Sequence, residues 1–381
     1  LRNDVIWEAT PQHQIEFGGL VSGVHYKNTA SFLKTPSPKE PNSVTVSVSS
    51  SLSFPSIRSG LYLQDRWKVN DQNTVILGGR GEFSKIANFS WNSKLQPRLA
   101  HIYQWSPQTR IKTYYGQYGQ QLFQTNQTSS GSLSLNSTVA DVDMDLSEHF
   151  GSGIEHYIND NLLIKGEAFY KNYQSLSIDT GTYPEKVFSN SGTGKAAGIE
   201  LMLHQLSGER YDGWVTYTFS KTRRHDQLGW YTPEYDVTHM MTAYGDIKLK
   251  KGRRLITTAK YRTGIPYTPI LGATTNPSTG ALEYTLGKRY SRRLSDYFRL
   301  DIWVEFPGVT LISPIPYLPF SEDRLWGIFP KFNLKGSTRF GIFNVLRIKN
   351  QTRYYWDKDN NREGFVNDFP MMFIFGQKII F

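Results

Sequence analysis

The chain contains no cysteine. That absence removes thiol nucleophiles, disulfide frameworks, thiolate-bound zinc, iron–sulfur clusters and c-type haem attachment. Long apolar runs are missing too: no stretch approaches the ~18 to 20 consecutive apolar residues that a spanning helix needs. A helical membrane protein is excluded, but a β-barrel is not, because its strands alternate lipid-facing with lumen-facing residues and keep the average polar. Catalytic signatures are also lacking, with no GxSxG, no HExxH and no phosphate-cradling glycine loop. The start, LRNDVIWEAT, has neither the basic nor the apolar region of a secretory leader, so it reads as a trimmed or internal start. Charge of one sign is scarce as a block. The 43 basic residues exceed the 33 acidic ones by spreading along the chain in short groups such as Arg223-Arg224 and Arg292-Arg293. That pattern is too sparse for a nucleic-acid arm, and no nucleic-acid partner is expected.

What the chain has is aromatic side chains, with 23 Tyr, 22 Phe and 9 Trp in 381 residues, and period-two alternation. Phe298, Leu300, Ile302, Val304 and Phe306 point one way, while Arg299, Asp301, Trp303 and Glu305 point the other. Leu162, Ile164, Ala168 and Tyr170 likewise oppose Lys165, Glu167 and Lys171. The pattern recurs as fifteen strands, at 4–10, 13–26, 57–70, 73–83, 95–105, 109–122, 143–158, 161–176, 193–207, 211–224, 236–249, 253–264, 294–306, 332–347 and 370–381. Tight turns alternate with long loops, as in outer-membrane barrels whose short turns face the periplasm. Residues 307–331 break the alternation and read as a periplasmic-side insertion. With the tight turns inside, the first strand starts outside and the last ends in the periplasm, so an odd count predicts that the chain does not close a barrel alone.

The ordered series SGLYLQDRW, ILGGRGE, LQPRLA, GIEHYINDNLLIKGEAFYKNYQSL, AAGIELMLH, WVTYTFSKT, YDVTHMMTAYGDIKL, YRTGIPYTP, YFRLDIWVEF, FGIFNVLRIKN and FIFGQKIIF resembles the C-terminal part of the barrel of TonB-dependent outer-membrane receptors. The resemblance implies an all-β, transmembrane, antiparallel up-and-down barrel of twenty-two strands, of which residues 1–381 look like the last fifteen, with the N-terminal plug and first strands absent. It implies the cell outer membrane as location and TonB-dependent uptake of a bulky nutrient: a metal chelate, a cofactor or an oligosaccharide. Energy would come from a TonB-type complex acting through a plug that this sequence does not contain. The alternative is a plugless structural barrel held with other outer-membrane subunits. In YDVTHMMTAY, Thr238 stands where the family commonly places arginine.

Within that reading no catalytic residue, metal site or cofactor is expected. Asp141, Asp143 and Asp145 alternate on one face and could supply part of a calcium site, against the plainer reading of a solvated strand end. The lumen face is the expected place of ligand contact, through Lys112, Tyr114, Arg262, Arg299 and Trp303. Tyr118, Trp230 and Tyr231 are further candidates, since aromatic rings stack on planar or sugar-like ligands; the same rings also pack on one another or on lipopolysaccharide. Phe381, a terminal aromatic on an amphipathic strand, resembles the signal read by the barrel assembly machinery.

Overall fold

The computed structural model describes residues 1–34, 46–122, 125–129, 135–180, 187–206, 208–275, 282–308, 335–357 and 360–380. Fifteen strands form one continuous antiparallel meander, each paired with the one before it. They are β1 (Arg2–Thr10), β2 (His13–Lys34), β3 (Val46–Lys68), β4 (Asn73–Ile86), β5 (Asn92–Ser106), β6 (Thr109–Gln120), β7 (Asp145–Asn159) and β8 (Leu162–Asp179). The second half comprises β9 (Phe188–Gln205), β10 (Tyr211–Asp226), β11 (His239–Lys248), β12 (Arg254–Arg262), β13 (Tyr297–Pro307), β14 (Lys335–Phe343) and β15 (Met372–Ile380). A short strand at Gly229–Tyr231 folds back onto the end of β10. All fifteen expected strands are present. Among the described residues the sheet is open, with β1 and β15 as its two edges and no ladder between them.

Burial is inverted relative to a soluble sheet. Leu95 is 73% and Phe373 75% exposed, while Glu82 is 1% and Gln96 2% exposed. Only hydrocarbon outside and polar groups inside make that arrangement stable. Trp7, Trp67, Trp105 and Tyr211 lie exposed near the strand ends that meet at short turns, forming the aromatic girdle of one interface. One of those turns, Lys250–Gly252, needs φ of +60° at Lys251 and +71° at Gly252, and its glycine packs against Pro307.

Two differences from the sequence reading stand out. β2 runs on to Lys34 and β3 begins at Val46, well beyond the expected 26 and 57. The added part of β3 is rich in serine, and Ser50 interrupts the alternation of Val46, Val48, Leu52 and Phe54 with Ser47, Ser49, Ser51 and Ser53; backbone pairing continues across that break. Loops also contain hairpins of their own, at Thr125–Ser129 with Leu135–Val139, Ile270–Thr275 with Leu282–Leu286, and Gln351–Asp357 with Arg362–Asn367. Of the 307–331 insertion, residues 309–331 lie outside the described residues, as does Phe381.

Candidate ligand-binding site

Three long connections, on the side opposite the short turns, converge over the ends of β10 to β15. They are residues 227–238, 263–296 and 344–371. Pinning begins at the base of the last one. Asn344, 1% exposed, takes a hydrogen bond on its side-chain oxygen from the Ile348 amide at 3.2 Å, and its own amide donates to Asp301 at 3.0 Å. Asn350, also 1% exposed, accepts from the Phe298 N–H and donates to the Phe298 carbonyl, both at 2.9 Å. Tyr297 donates its hydroxyl to Asp368 at 2.8 Å, and Arg299 sits 3.0 Å from Asp301 and 3.7 Å from Asp368. Burial would raise the Asp368 pKa; the Tyr297 hydroxyl, the Phe369 amide and the two arginines Arg299 and Arg262 outweigh it and hold the carboxyl below its ordinary value.

The hairpin above is held by rings. Tyr354 stacks on Tyr267 with centroids 4.4 Å apart, both contact Phe365, and the Tyr354 hydroxyl accepts the Ile270 amide at 2.7 Å. Arg292 reaches Glu363 at 2.8 Å. In the neighbouring connection Asp236, 3% exposed, accepts the Thr222 amide at 2.8 Å and pairs with Arg293 at 2.5 Å, so one buried carboxylate ties β10 to the long connection after β12.

Between these segments lies a cavity of about 720 Å³, lined by Arg262, Arg353, Tyr235, Tyr267, Tyr290 and Tyr354, with Glu234 at its side. Neither arginine is in an ion pair among the described residues. Arg262 instead lies 5.1 Å over the Tyr297 ring. The arrangement supplies guanidinium donors for anionic oxygens and phenol rings for planar surfaces, in a space the size of an ordinary ligand pocket.

The expected site residues divide. Arg262 lines the cavity, and Tyr231 adjoins it, stacked on Tyr290 at 5.8 Å beneath Arg289 at 3.6 Å. Burial pushes the Tyr231 phenol up. Arg299 sits at the base among the carboxylates. Trp303 is deeper on the lumen wall, against Phe343 at 5.4 Å. Lys112, Tyr114 and Tyr118 share the lumen face of β6, six strands away along the sheet; Tyr114 donates to Glu167 at 2.7 Å and Tyr118 lies under Arg98 at 4.8 Å. Trp230 is on the outward face, 5.2 Å below Lys195. Among the described residues no group of three or more His, Asp or Glu side chains is placed to hold a metal ion, and Asp145 accepts the Ser177 amide instead. Arg353, Tyr267, Tyr290 and Tyr354 were not anticipated, for they fall in connections where no periodicity singles them out.

The family model described as TonB dependent receptor-like, beta-barrel matches residues 2–345. Among solved structures, the chain is similar to the ferripyoverdine receptor of the outer membrane of Pseudomonas aeruginosa, at 12% identity and a TM-score of 0.64, over 99% of this chain and 47% of that one. It is similar to the ferric yersiniabactin uptake receptor FyuA from Yersinia pestis at 11% identity and a TM-score of 0.68, over 100% and 53%. The outer membrane transporter YddB from Escherichia coli gives 12% and 0.61, over 98% and 52%. The chain thus spans about half the length of each. No curated protein matches it in sequence.

Proposed function

The chain belongs to the TonB-dependent receptor-like β-barrel family, which places it in the outer membrane, and from that premise we propose that it captures a bulky anionic nutrient, a metal chelate first among them, for TonB-dependent uptake. The observation that carries the proposal is the pair Arg262 and Arg353, neither in a close ion pair among the described residues, in a tyrosine-walled cavity at the outer mouth. An anionic chelate offers oxygens to both guanidiniums and planar rings to Tyr267, Tyr290 and Tyr354. Two of the similar structures bear ferric-chelate receptors by name, which supports this choice over an oligosaccharide or an organic cofactor. Passage through the lumen would be energised by a TonB-type complex acting on a plug in contact with the polar inner wall. That wall carries its own network near the short turns: Arg254 binds Asp246 through Nε at 3.0 Å and lies 3.6 Å from Glu305, which also meets Arg339 at 2.8 Å.

The test is intrinsic fluorescence quenching, in detergent, of the receptor barrel that contains this chain together with the strands that pair its two edges, by a panel of ferric catecholate, hydroxamate and phenolate chelates, each iron-loaded and iron-free. Saturable binding of at least one loaded chelate is expected, weakened at least about tenfold by the double variant Arg262→Ala/Arg353→Ala. Binding that ignored the double variant, or that occurred only with neutral oligosaccharides, would overturn the chelate assignment.

A further inference from the structure

In the connection after β12, the stretch 288–293 reaches both neighbouring connections through its arginines. Arg293 holds Asp236, Arg292 holds Glu363, and Arg289 holds Asp226 at the outer end of β10. The third tie differs from the other two because it runs through rings. The Arg289 guanidinium lies 3.6 Å over Tyr231 and 5.3 Å from the Tyr290 ring, and those two phenols stack at 5.8 Å with their planes 25° apart. Asp226 is anchored in turn: its side chain is 12% exposed, and its second oxygen accepts the Leu228 amide at 2.9 Å.

Tyr290 is the member of this cluster that lines the mouth cavity, with Tyr231 stacked behind it. Its backbone has a φ of +50°, a left-handed conformation that a bulky residue keeps only where its surroundings hold it. The contacts that hold the backbone are local. The Tyr290 amide donates to the Thr268 hydroxyl at 3.0 Å, and the Ser291 amide donates to the Lys288 carbonyl at 3.2 Å, closing the turn. Those bonds fix the main chain and leave the ring to the stack of Arg289 and Tyr231. A planar guanidinium suits that role, since it can lie flat on one ring while its edge reaches a carboxylate.

We propose that Arg289 is a positioning residue for cargo choice: by fixing Tyr290 against Tyr231 it commits the cavity to chelators built from aromatic rings, catecholates or phenolates, over aliphatic hydroxamates. The inference rests on the chelate reading above. All three classes bring oxygens to Arg262 and Arg353, but only the aromatic ones bring a ring face to Tyr290. Arg289 acts through Tyr290 and touches no cargo itself, because its carboxylate partner and both its ring contacts lie within the protein.

Fluorescence quenching of the receptor barrel that contains this chain tests this with a ferric tris-catecholate and a ferric tris-hydroxamate complex, read as the ratio of their affinities. The wild type should favour the catecholate by at least about tenfold. Arg289→Ala and Tyr290→Leu should each remove most of that preference by weakening the catecholate, and the double variant should lose no more than Tyr290→Leu alone. Arg289→Lys should follow Arg289→Ala, since an ammonium can meet Asp226 but cannot stack on the rings. Lys288→Ala removes a neighbouring exposed charge that has no ion pair among the described residues, and should keep the wild-type ratio. Heat-modifiable gel mobility confirms that each variant folds. Equal weakening of both complexes in Arg289→Ala would make the arginine a general support of the mouth and overturn the assignment. Additive losses in the double variant would overturn it too, as would a wild-type ratio in Arg289→Lys. A wild type that bound the hydroxamate as well as the catecholate would overturn the aromatic preference and leave the chelate reading in place, whereas one that bound neither would overturn both.

Discussion

Trp303 on β13 covers Gly341 on β14, and a Cβ built on that glycine would come within 2.4 Å of the indole. The two are register partners on the lumen face, so the ring occupies the space that a side chain on β14 would fill. Gly341→Ala should therefore push Trp303 aside and cost about 1 to 3 kcal/mol. A urea titration of the refolded barrel, followed by tryptophan emission, measures both. Unchanged stability with unchanged emission would mean that the indole has another place to go.

The facing of β13 is tested by an arginine. Ile302 lies in the outward apolar groove with Val304, Phe340 and Phe375. Ile302→Arg should cost roughly 2 to 4 kcal/mol if the position is near midplane. Lys260→Ala, on the lumen face and without an ion pair among the described residues, should be nearly silent. Arg299→Ala is a poorer control, since it strips Asp301 and Asp368 of their guanidinium. A reversed ranking of Ile302→Arg and Lys260→Ala in liposome refolding would invert the assignment of faces.

Tyr354→Phe keeps the stack on Tyr267 but removes the acceptor of the Ile270 amide. The expected loss is about 1 kcal/mol of local docking. Hydrogen exchange at Ile270 should accelerate while strands β10 to β13 remain protected. Acceleration throughout the sheet would show that the hairpin and the strands open as one unit.

Acidification should loosen the last connection before the sheet. The folded Asp368 carboxyl lies below its ordinary pKa, so its contribution is complete above the unfolded value and is lost as pH falls through the folded one. Protease nicking within 344–371 should therefore rise in that window and stay flat in Asp368→Asn, which has no carboxyl to titrate. An identical pH profile in the variant would assign the transition elsewhere.

The strands were legible because lipid on one face and polar groups on the other impose period two on residues such as Phe298 to Phe306. The same rule failed at Ser49 to Ser51, where Ser50 interrupts the alternation of Val46, Val48, Leu52 and Phe54 with the serines between them, although β3 is paired throughout. It failed again for the cavity. Arg262 was visible as the lumen end of a periodic strand, and Tyr231 as an aromatic at a loop tip. Tyr354 sits 84 residues from Ile270, and Arg353 is beside it, in a hairpin that only tertiary pairing places over Tyr267. Trp230 was visible as an exposed ring, yet its face depended on the register of Gly229–Tyr231 with the end of β10, which no local pattern encodes.

The walls of the mouth cavity come largely from connections, while the ladders that hold the sheet run strand to strand. Exchanging Tyr235, Tyr290 or Arg353 leaves every rung between β10 and β15 in place, so under the proposed uptake role cargo preference and scaffold integrity would change independently. A lineage under competition for a scarce solute can diversify these positions with little risk to assembly in the membrane. Loop grafts between relatives should exchange cargo range in one step wherever the stave ends match, and the Asn344 and Asn350 pins mark where such a graft should be cut.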